Sequence, residues 1–154
     1  MAKDYGLPCP VAHSLDIVGD RWTLLIVRDL LGMGPRKYVE LQESLQGIAP
    51  NILSDRLKLL EANGVVEREF YEDHPPRARY KLTRKGLDLR FVILALVNWG
   101  AKYEYDGVSI AHEVCGHDIK LIARCEHCGV DAPARETVRK FKRREAALAA
   151  GQRF

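Results

Sequence analysis

The chain has 154 residues, with 24 Lys or Arg, 21 Asp or Glu and a formal net charge of +3. Its apolar fraction of 47% and charged fraction of 29% are ordinary for a globular protein and exclude wholesale disorder. It has no run of 18 apolar residues and no apolar signal-peptide core at its start, so we expect a cytoplasmic protein, without a membrane span, whose four cysteines are reduced.

The first part of the chain is predicted to be helical. Apolar periodicity and glycine-containing breaks favour helices over 13–18, 22–31 and 38–45. Arg36 and Lys37 lie just ahead of the third helix, where two cations can contact a nucleic-acid backbone. The alternative is that both are ordinary surface cations without a role in binding.

A fourth helix, over 50–63, combines a buried stripe with a polar face. Leu53, Leu57 and Leu60 recur at the i, i+4, i+7 spacing of one buried side. The opposite side carries three short polar side chains and a cation, namely Asn51, Ser54, Asp55 and Lys58. Such groups suit base edges and phosphates, although a plain solvated face would have the same pattern.

A hairpin is predicted after this helix, which stops at Asn63-Gly64. Strand-forming residues on either side of Pro75-Pro76 predict two antiparallel strands. Arg77, Arg79 and Lys81 alternate on one face of the return strand, where no acid interrupts the basic residues. We expect this locally basic hairpin to contact phosphates. A helix-turn-helix followed by a two-stranded wing predicts binding to double-stranded DNA.

Thr83 is a suitable N-cap for a long helix over 84–103, which is apolar on two faces. We expect one face to pack on the helical core and the other on a second copy of the chain. A twofold homodimer presents two recognition helices, which suits a palindromic operator with half-sites about one helical turn apart.

Several of these segments together resemble the HxlR-type winged helix-turn-helix regulators, relatives of the MarR group. The resemblance covers about residues 8–103. It is carried by CPVAHSLDIVGDRWTLLIVRDLL, by LKLLEANGVV, by HPPRARYKLTRKG and by Trp99. It implies a homodimeric transcription regulator, usually a repressor, whose 50–63 helix reads the operator. The Asp73–Arg79 wing would then contact the minor groove or the backbone.

Cys9 lies in Leu-Pro-Cys-Pro, just ahead of the first predicted helix. The family resemblance implies a sensor, because the matching cysteine of several members responds to quinones, other electrophiles or hypochlorite. A thiol near a helix N-terminus can react as the thiolate, which is the physical basis of such a role. The alternative is a small buried residue that closes a dimer core. The effector itself cannot be identified from the sequence.

A cysteine-rich segment follows the resembling region. His112-x2-Cys115-Gly and Cys125-x2-Cys128-Gly predict two knuckle-like turns, with DIKLIAR (118–124) between them as a strand. Three thiolates and one imidazole complete a tetrahedral structural Zn²⁺ site. His117 and His127 are alternative fourth ligands, and a metal-free hairpin with packed cysteines is the alternative to zinc.

Two rival functions stay open beside the regulator. An architectural or effector-independent DNA-binding protein would use the same helix and wing. A thiol–disulfide oxidoreductase would use Cys125-x2-Cys128. That chemistry requires a helix directly after the motif, and no obvious helix follows it here.

The basic run at 139–144 is either a second nucleic-acid contact or a solubilising helix end.

The expected fold class is α+β and mainly helical. We predict a winged helix-turn-helix domain with a long dimerisation helix over 8–105 and a small zinc-ribbon-like extension with a basic tail over 106–154. The protein is not expected to be an enzyme.

Overall fold

In the computed structural model, residues 5–73, 76–133 and 137 are described. Contacts between residues divide the chain into a first unit, Met1–Val108, and a second unit, Ser109–Phe154. The basic run at 139–144 lies outside the described residues. Among those described, no helix is both long and apolar enough to cross a membrane.

The first unit consists of helices around a small sheet. In chain order its elements are α1 (Pro10–Val18), α2 (Arg21–Met33), β1 (Arg36–Lys37), α3 (Tyr38–Ser44), α4 (Pro50–Ala62), β2 (Val66–Asp73), β3 (Pro76–Leu82), α5 (Arg84–Leu87) and α6 (Arg90–Tyr103). The described part is therefore mainly helical with a small sheet, as the sequence predicted. The first helix starts three residues earlier than predicted, because Pro10 is accommodated in its first turn.

The core lies between α2, α3, α4 and the start of β2. The predicted leucine stripe of α4 is confirmed, since Leu53, Leu57 and Leu60 are each at most 1% exposed. The remaining buried members of the cluster are Ile26, Val27, Leu30, Leu41, Leu45, Ile48, Val65 and Val66. This packing fixes α4 against the body and leaves its opposite face outside.

Two aspartates connect the helices that surround this core. Asp20 caps α2 by accepting the Trp22 N–H at 2.9 Å, and its other carboxylate oxygen lies 3.9 Å from Arg56 of α4. Asp29 is buried and accepts a hydrogen bond from the Ser44 hydroxyl of α3 at 2.6 Å. The Asp20–Arg56 ion pair connects α4 to α2, and the Ser44–Asp29 hydrogen bond connects α3 to α2.

The sheet has the order β1-β3-β2, with both neighbouring pairs antiparallel. β2 and β3 form the predicted wing hairpin, with an irregularity in its register between Phe70 and Glu72. The structure adds one strand that the sequence did not predict. Arg36 and Lys37 form β1 and pair with Tyr80 and Arg79 of β3.

The predicted continuous helix over 84–103 is wrong at its centre. Thr83 does cap α5, accepting the Gly86 N–H at 3.2 Å, but α5 ends at Leu87. The Leu89 N–H then bonds to the Gly86 carbonyl at 3.1 Å, a tight turn that separates α5 from α6. Gly86 is pressed against the residue that precedes β2, because a Cβ there would collide with the Val65 carbonyl oxygen. This tertiary contact holds α5 on the sheet.

Candidate nucleic-acid interface

The outer face of α4 presents polar side chains to solvent. Asn51, Asp55 and Lys58 are exposed, as the polar face predicted from the sequence requires. An amide, a carboxylate and an ammonium group there combine donors and acceptors for base edges with a cation for phosphate. The fourth residue predicted for this face, Ser54, is only half-exposed.

Ser54 belongs to a hydrogen-bonded connection between α3 and α4. Its hydroxyl donates to the Tyr38 hydroxyl at 3.3 Å, and Tyr38 donates to the Pro50 carbonyl oxygen at 2.7 Å. The Pro50 carbonyl lies in the first turn of α4. Tyr38 therefore fixes the start of α4, a role that no local sequence pattern indicates.

The two cations ahead of α3 have different surroundings. The Arg36 side chain is 32% exposed, and its guanidinium lies 3.9 Å from Glu40. Its buried Nε has no hydrogen-bond partner in the described part of the chain. Lys37 is exposed and its Nζ lies 5.0 Å from the ring centre of Tyr71. Lys37 is therefore better placed than Arg36 to contact a phosphate.

The cations of the wing are paired with carboxylates of the opposite strand. Arg79 donates to Glu69, and the Lys81 ammonium lies 3.2 Å from Glu69 and 3.3 Å from Glu67. Hydrogen bonds from Arg79 and then Lys81 lower the pKa of Glu69, while hydrogen bonds to Glu69 and then Glu67 raise the pKa of Lys81. This face of the hairpin is an alternating ionic ladder.

The same pairing continues toward the wing tip, where Arg77 lies 3.3 Å from Glu72. Between residues 66 and 82 the sequence contains four acids and four Lys or Arg. The expected surplus of positive charge on the hairpin is therefore absent once both strands are counted. The sequence signal for this pairing is the set of glutamates in β2, which face the cations of the return strand.

A band of apolar side chains is exposed on α6. No residue of this helix is buried, although Ile93 and the preceding Leu89 pack against the core. Trp99 and Tyr103 have ring centres 5.7 Å apart and are both more than half exposed. The exposed apolar side chains, here called the α6 band, are Phe91, Val92, Leu96, Trp99 and Tyr103.

Cys9 occupies the N-cap position of α1, as its place in the sequence predicted. Its carbonyl oxygen accepts the His13 N–H at 3.1 Å, and its residue surface is partly exposed. None of the four cysteines, Cys9, Cys115, Cys125 and Cys128, forms a disulfide. Cys9 belongs to the first unit, whereas the other three cysteines belong to the second.

The second unit places the expected metal ligands in two turns. The predicted strand over 118–124 is wrong, because only its end residues pair: Asp118 bridges to Ala111, and Arg124 to Asp131. The Ala111–Asp118 bridge closes the first turn, and the Arg124–Asp131 bridge closes the second. Within the described residues, no group of three or more His, Cys, Asp or Glu is positioned to hold a metal ion.

The motif Cys125-x2-Cys128 lies in one of these turns. No helix follows it within the described part of the second unit, so neither thiol is at a helix N-terminus. The backbone amides of Cys128 and His127 hydrogen-bond to the Cys125 sulfur and lower the pKa of its thiol. The oxidoreductase alternative therefore lacks the helix on which that chemistry depends.

The helix pair α3–α4 with the β2–β3 wing defines a winged helix-turn-helix protein. The chain belongs to the HxlR-like helix-turn-helix family, whose profile matches residues 17–107. The uncharacterised HTH-type transcriptional regulator Rv3095 of Mycobacterium tuberculosis is 39% identical over 131 residues, covering 81% of this chain and 80% of that regulator.

Two solved structures extend this result. PA1607, described as a candidate transcription factor, has a TM-score of 0.77 at 32% identity and covers 89% of this chain and 97% of its own. Its match is longer than the first unit. The reduced form of the transcriptional regulator YodB from Bacillus subtilis has a TM-score of 0.54 at 33% identity, covering 66% of this chain and 100% of its own. The chain is accordingly a DNA-binding transcriptional regulator.

Proposed function

We propose that this regulator is a homodimeric repressor of a palindromic operator, with one α4 in the major groove of each half-site. The observation that carries the proposal is the outer face of α4, where Asn51, Asp55 and Lys58 project from a helix anchored by the buried leucine stripe. Rigid anchoring matters because a bidentate contact to a base edge requires a fixed side-chain origin.

The wing contributes position rather than attraction in this proposal. Its cations are already paired with Glu67, Glu69 and Glu72, so a phosphate must compete with a carboxylate for each of them. Lys37 and Lys58 are the exposed cations that we expect to contact phosphates directly. Sequence preference would then come from α4, through Asn51, Asp55 and the half-exposed Ser54.

The α6 band supports the homodimer. The five large apolar side chains of the band are 42–59% exposed, and covering apolar surface is favourable by about 25 cal/mol per Å². We propose a second copy as the cover, because a twofold axis also doubles α4 and so matches an inverted repeat in DNA. Dimerisation and operator symmetry are thus one proposal.

The dimer is tested by sedimentation of Trp99→Asp beside Phe70→Asp. Both aromatic side chains are 57% exposed, but only Trp99 belongs to the α6 band. We expect the wild type and Phe70→Asp to be dimers at micromolar concentration and Trp99→Asp to be a monomer. A monomeric wild type, or equal behaviour of the two variants, would contradict the proposal.

The operator is tested by selecting bound duplexes from a random DNA library. We expect an inverted repeat with half-sites about one helical turn apart. Selection of no motif, with an affinity that depends only on salt, would instead favour an architectural DNA-binding protein. Repression is the sign we propose because blocking a promoter needs operator binding alone. A reporter gene whose promoter carries the selected site should be less active in cells that express the protein.

We also propose that quinones control DNA binding through Cys9. The support is that YodB, 33% identical to this chain, has been solved in a reduced form and with a quinone bound. The Cys9 sulfur would add to a quinone ring carbon, forming an S–C bond, and the thiol proton would pass to one quinone oxygen. The proton on the attacked carbon would then leave that carbon and pass to the other oxygen, which restores the aromatic ring. The product is a thioether of the hydroquinone, so no further oxidant is needed.

Benzoquinone treatment followed by mass spectrometry and an operator-binding assay tests this chemistry. We expect an adduct on Cys9 and a loss of operator affinity in the wild type. Cys9→Ser should keep its affinity after treatment. If Cys9→Ser loses affinity as the wild type does, Cys9 is not the control point.

A further inference from the structure

The first turn of the second unit is closed by three backbone hydrogen bonds. The His112 N–H donates to the His117 carbonyl at 2.8 Å, and the Gly116 N–H donates to the His112 carbonyl at 2.7 Å. The Ile119 N–H donates to the Ile110 carbonyl at 2.8 Å just outside the turn. Gly116 has a φ of 69°, a left-handed conformation that favours glycine.

The second turn repeats this pattern at every position. The Cys125 N–H donates to the Val130 carbonyl at 2.9 Å, and the Gly129 N–H donates to the Cys125 carbonyl at 2.9 Å. The Ala132 N–H donates to the Ala123 carbonyl at 2.8 Å, and Gly129 has a φ of 68°. Two turns with the same hydrogen bonds and the same glycine conformation are two copies of one structure.

The sequence contains the corresponding repeat, with a period of 13 residues. The four identical pairs are Glu113 and Glu126, Cys115 and Cys128, Gly116 and Gly129, and Asp118 and Asp131. In this repeat His112 corresponds to Cys125. The substitution exchanges one common zinc ligand for another, which is the expected behaviour of a position whose role is to donate to a metal.

Each turn brings its two donor side chains to one point. The Nδ1 of His112 lies 3.2 Å from the Cys115 sulfur. Zn–N and Zn–S bonds of about 2.0 and 2.3 Å at a tetrahedral angle place the two donors about 3.5 Å apart. In the second turn Cys125 and Cys128 stand at the positions that His112 and Cys115 occupy in the first, on the same hydrogen-bonded backbone. Each turn is therefore half of a tetrahedral site.

The repeat also selects among the three histidines. His112 occupies the first donor position of its turn, as Cys125 does in the other. His117 corresponds to Val130, which accepts the closing hydrogen bond through its carbonyl, and His127 lies between the two cysteines. His112 is therefore the fourth ligand that the structure favours.

The described part of the second unit has no buried residue. A segment without an apolar core needs another source of folding free energy, and a structural metal is a common one in small domains. We propose that the second unit binds one Zn²⁺ through His112, Cys115, Cys125 and Cys128, and that the metal draws the two half-sites together. Metal binding and folding of this unit are then coupled.

Elemental analysis of the full chain, purified without chelator, tests the site. We expect about one zinc per chain, and at least about a tenfold loss of zinc in His112→Ala, Cys115→Ser and Cys125→Ser. The matched controls are His117→Ala and Cys9→Ser, which should keep the metal. Zinc well below one per chain in the wild type, or loss in His117→Ala but not in His112→Ala, would overturn the assignment.

A second measurement stays informative if a variant misfolds. X-ray absorption of the wild-type zinc protein should fit one nitrogen and three sulfur ligands. Chelation should remove hydrogen-exchange protection from the Gly116 and Gly129 amides while the amides of α2 and α4 stay protected. A zinc shell of oxygen and nitrogen only, or equal protection with and without metal, would contradict the proposal.

Discussion

Helix α4 and the wing hold their polar side chains in opposite ways. On α4, Asn51, Asp55 and Lys58 project into solvent from a helix held by buried leucines. On the wing, Arg79 and Lys81 of β3 both form ion pairs with Glu69 of β2. Polar groups without a partner in the described part of the chain can be matched to bases, whereas paired cations can only exchange one anion for another. We therefore expect the helix to specify sequence and the wing to adjust register.

The largest expected contrast between the two regions is in folding stability. Leu57 is 1% exposed beneath α4, whereas Phe70 is 57% exposed on the wing. Leu57→Ala should lower the free energy of unfolding by about 2–5 kcal/mol, because it leaves a cavity in the core. Phe70→Ala should change it by less than about 0.5 kcal/mol. Equal losses in urea unfolding would mean that the wing, too, belongs to the core.

The next effect concerns the connection between α3 and α4. Tyr38→Phe removes the hydroxyl that joins Pro50 and Ser54. We expect a loss of about 0.5–1.5 kcal/mol in unfolding free energy and a comparable weakening of operator binding, because the first turn of α4 loses its anchor. Tyr71→Phe, on the wing, is the matched control. An operator affinity unchanged in Tyr38→Phe would show that packing alone positions α4.

A smaller effect is expected from releasing the wing cations. Glu69→Gln removes the carboxylate shared by Arg79 and Lys81. Binding to any duplex should strengthen by about two- to five-fold, as expected for breaking exposed ion pairs. Each new phosphate contact should steepen the salt dependence by about 0.9. Glu104→Gln makes the same change in net charge outside the wing, so an equal effect there would point to net charge alone.

The smallest effect is on the protonation of Glu69. Hydrogen bonds from Arg79 and Lys81 lower its pKa, so the folded state favours the carboxylate. The contribution to stability is present above the pKa of the unfolded state and is lost as the pH falls through the lower, folded pKa. A carbon-detected NMR titration should find the Glu69 midpoint below the usual glutamate range and nearer to it in Arg79→Gln. A Glu69 midpoint in the usual glutamate range in the wild type would contradict its pairing with Arg79 and Lys81.

Local patterns predicted α4 well and the wing only in outline. The leucine stripe and polar face of α4 depend on a periodicity within 13 residues, which the sequence displays directly. The ion pairs of the wing depend on which residue of β2 faces Arg79, and this register is set between strands. The break after α5 likewise depends on Gly86 meeting a carbonyl 21 positions earlier in the chain. Contacts between distant segments carry no periodic signal.

The division of labour between α4 and the wing is tested most directly by the specificity ratio. Dissociation constants of the wild type, Asn51→Ala and Glu69→Gln should be measured for the selected operator and a scrambled duplex in the same salt. Asn51→Ala should lose about 1–3 kcal/mol, or about 5- to 150-fold, on the operator and little on the scrambled duplex. Glu69→Gln should strengthen both and leave their ratio unchanged. A ratio that is preserved in Asn51→Ala, or that changes only in Glu69→Gln, would contradict these separate roles of α4 and the wing.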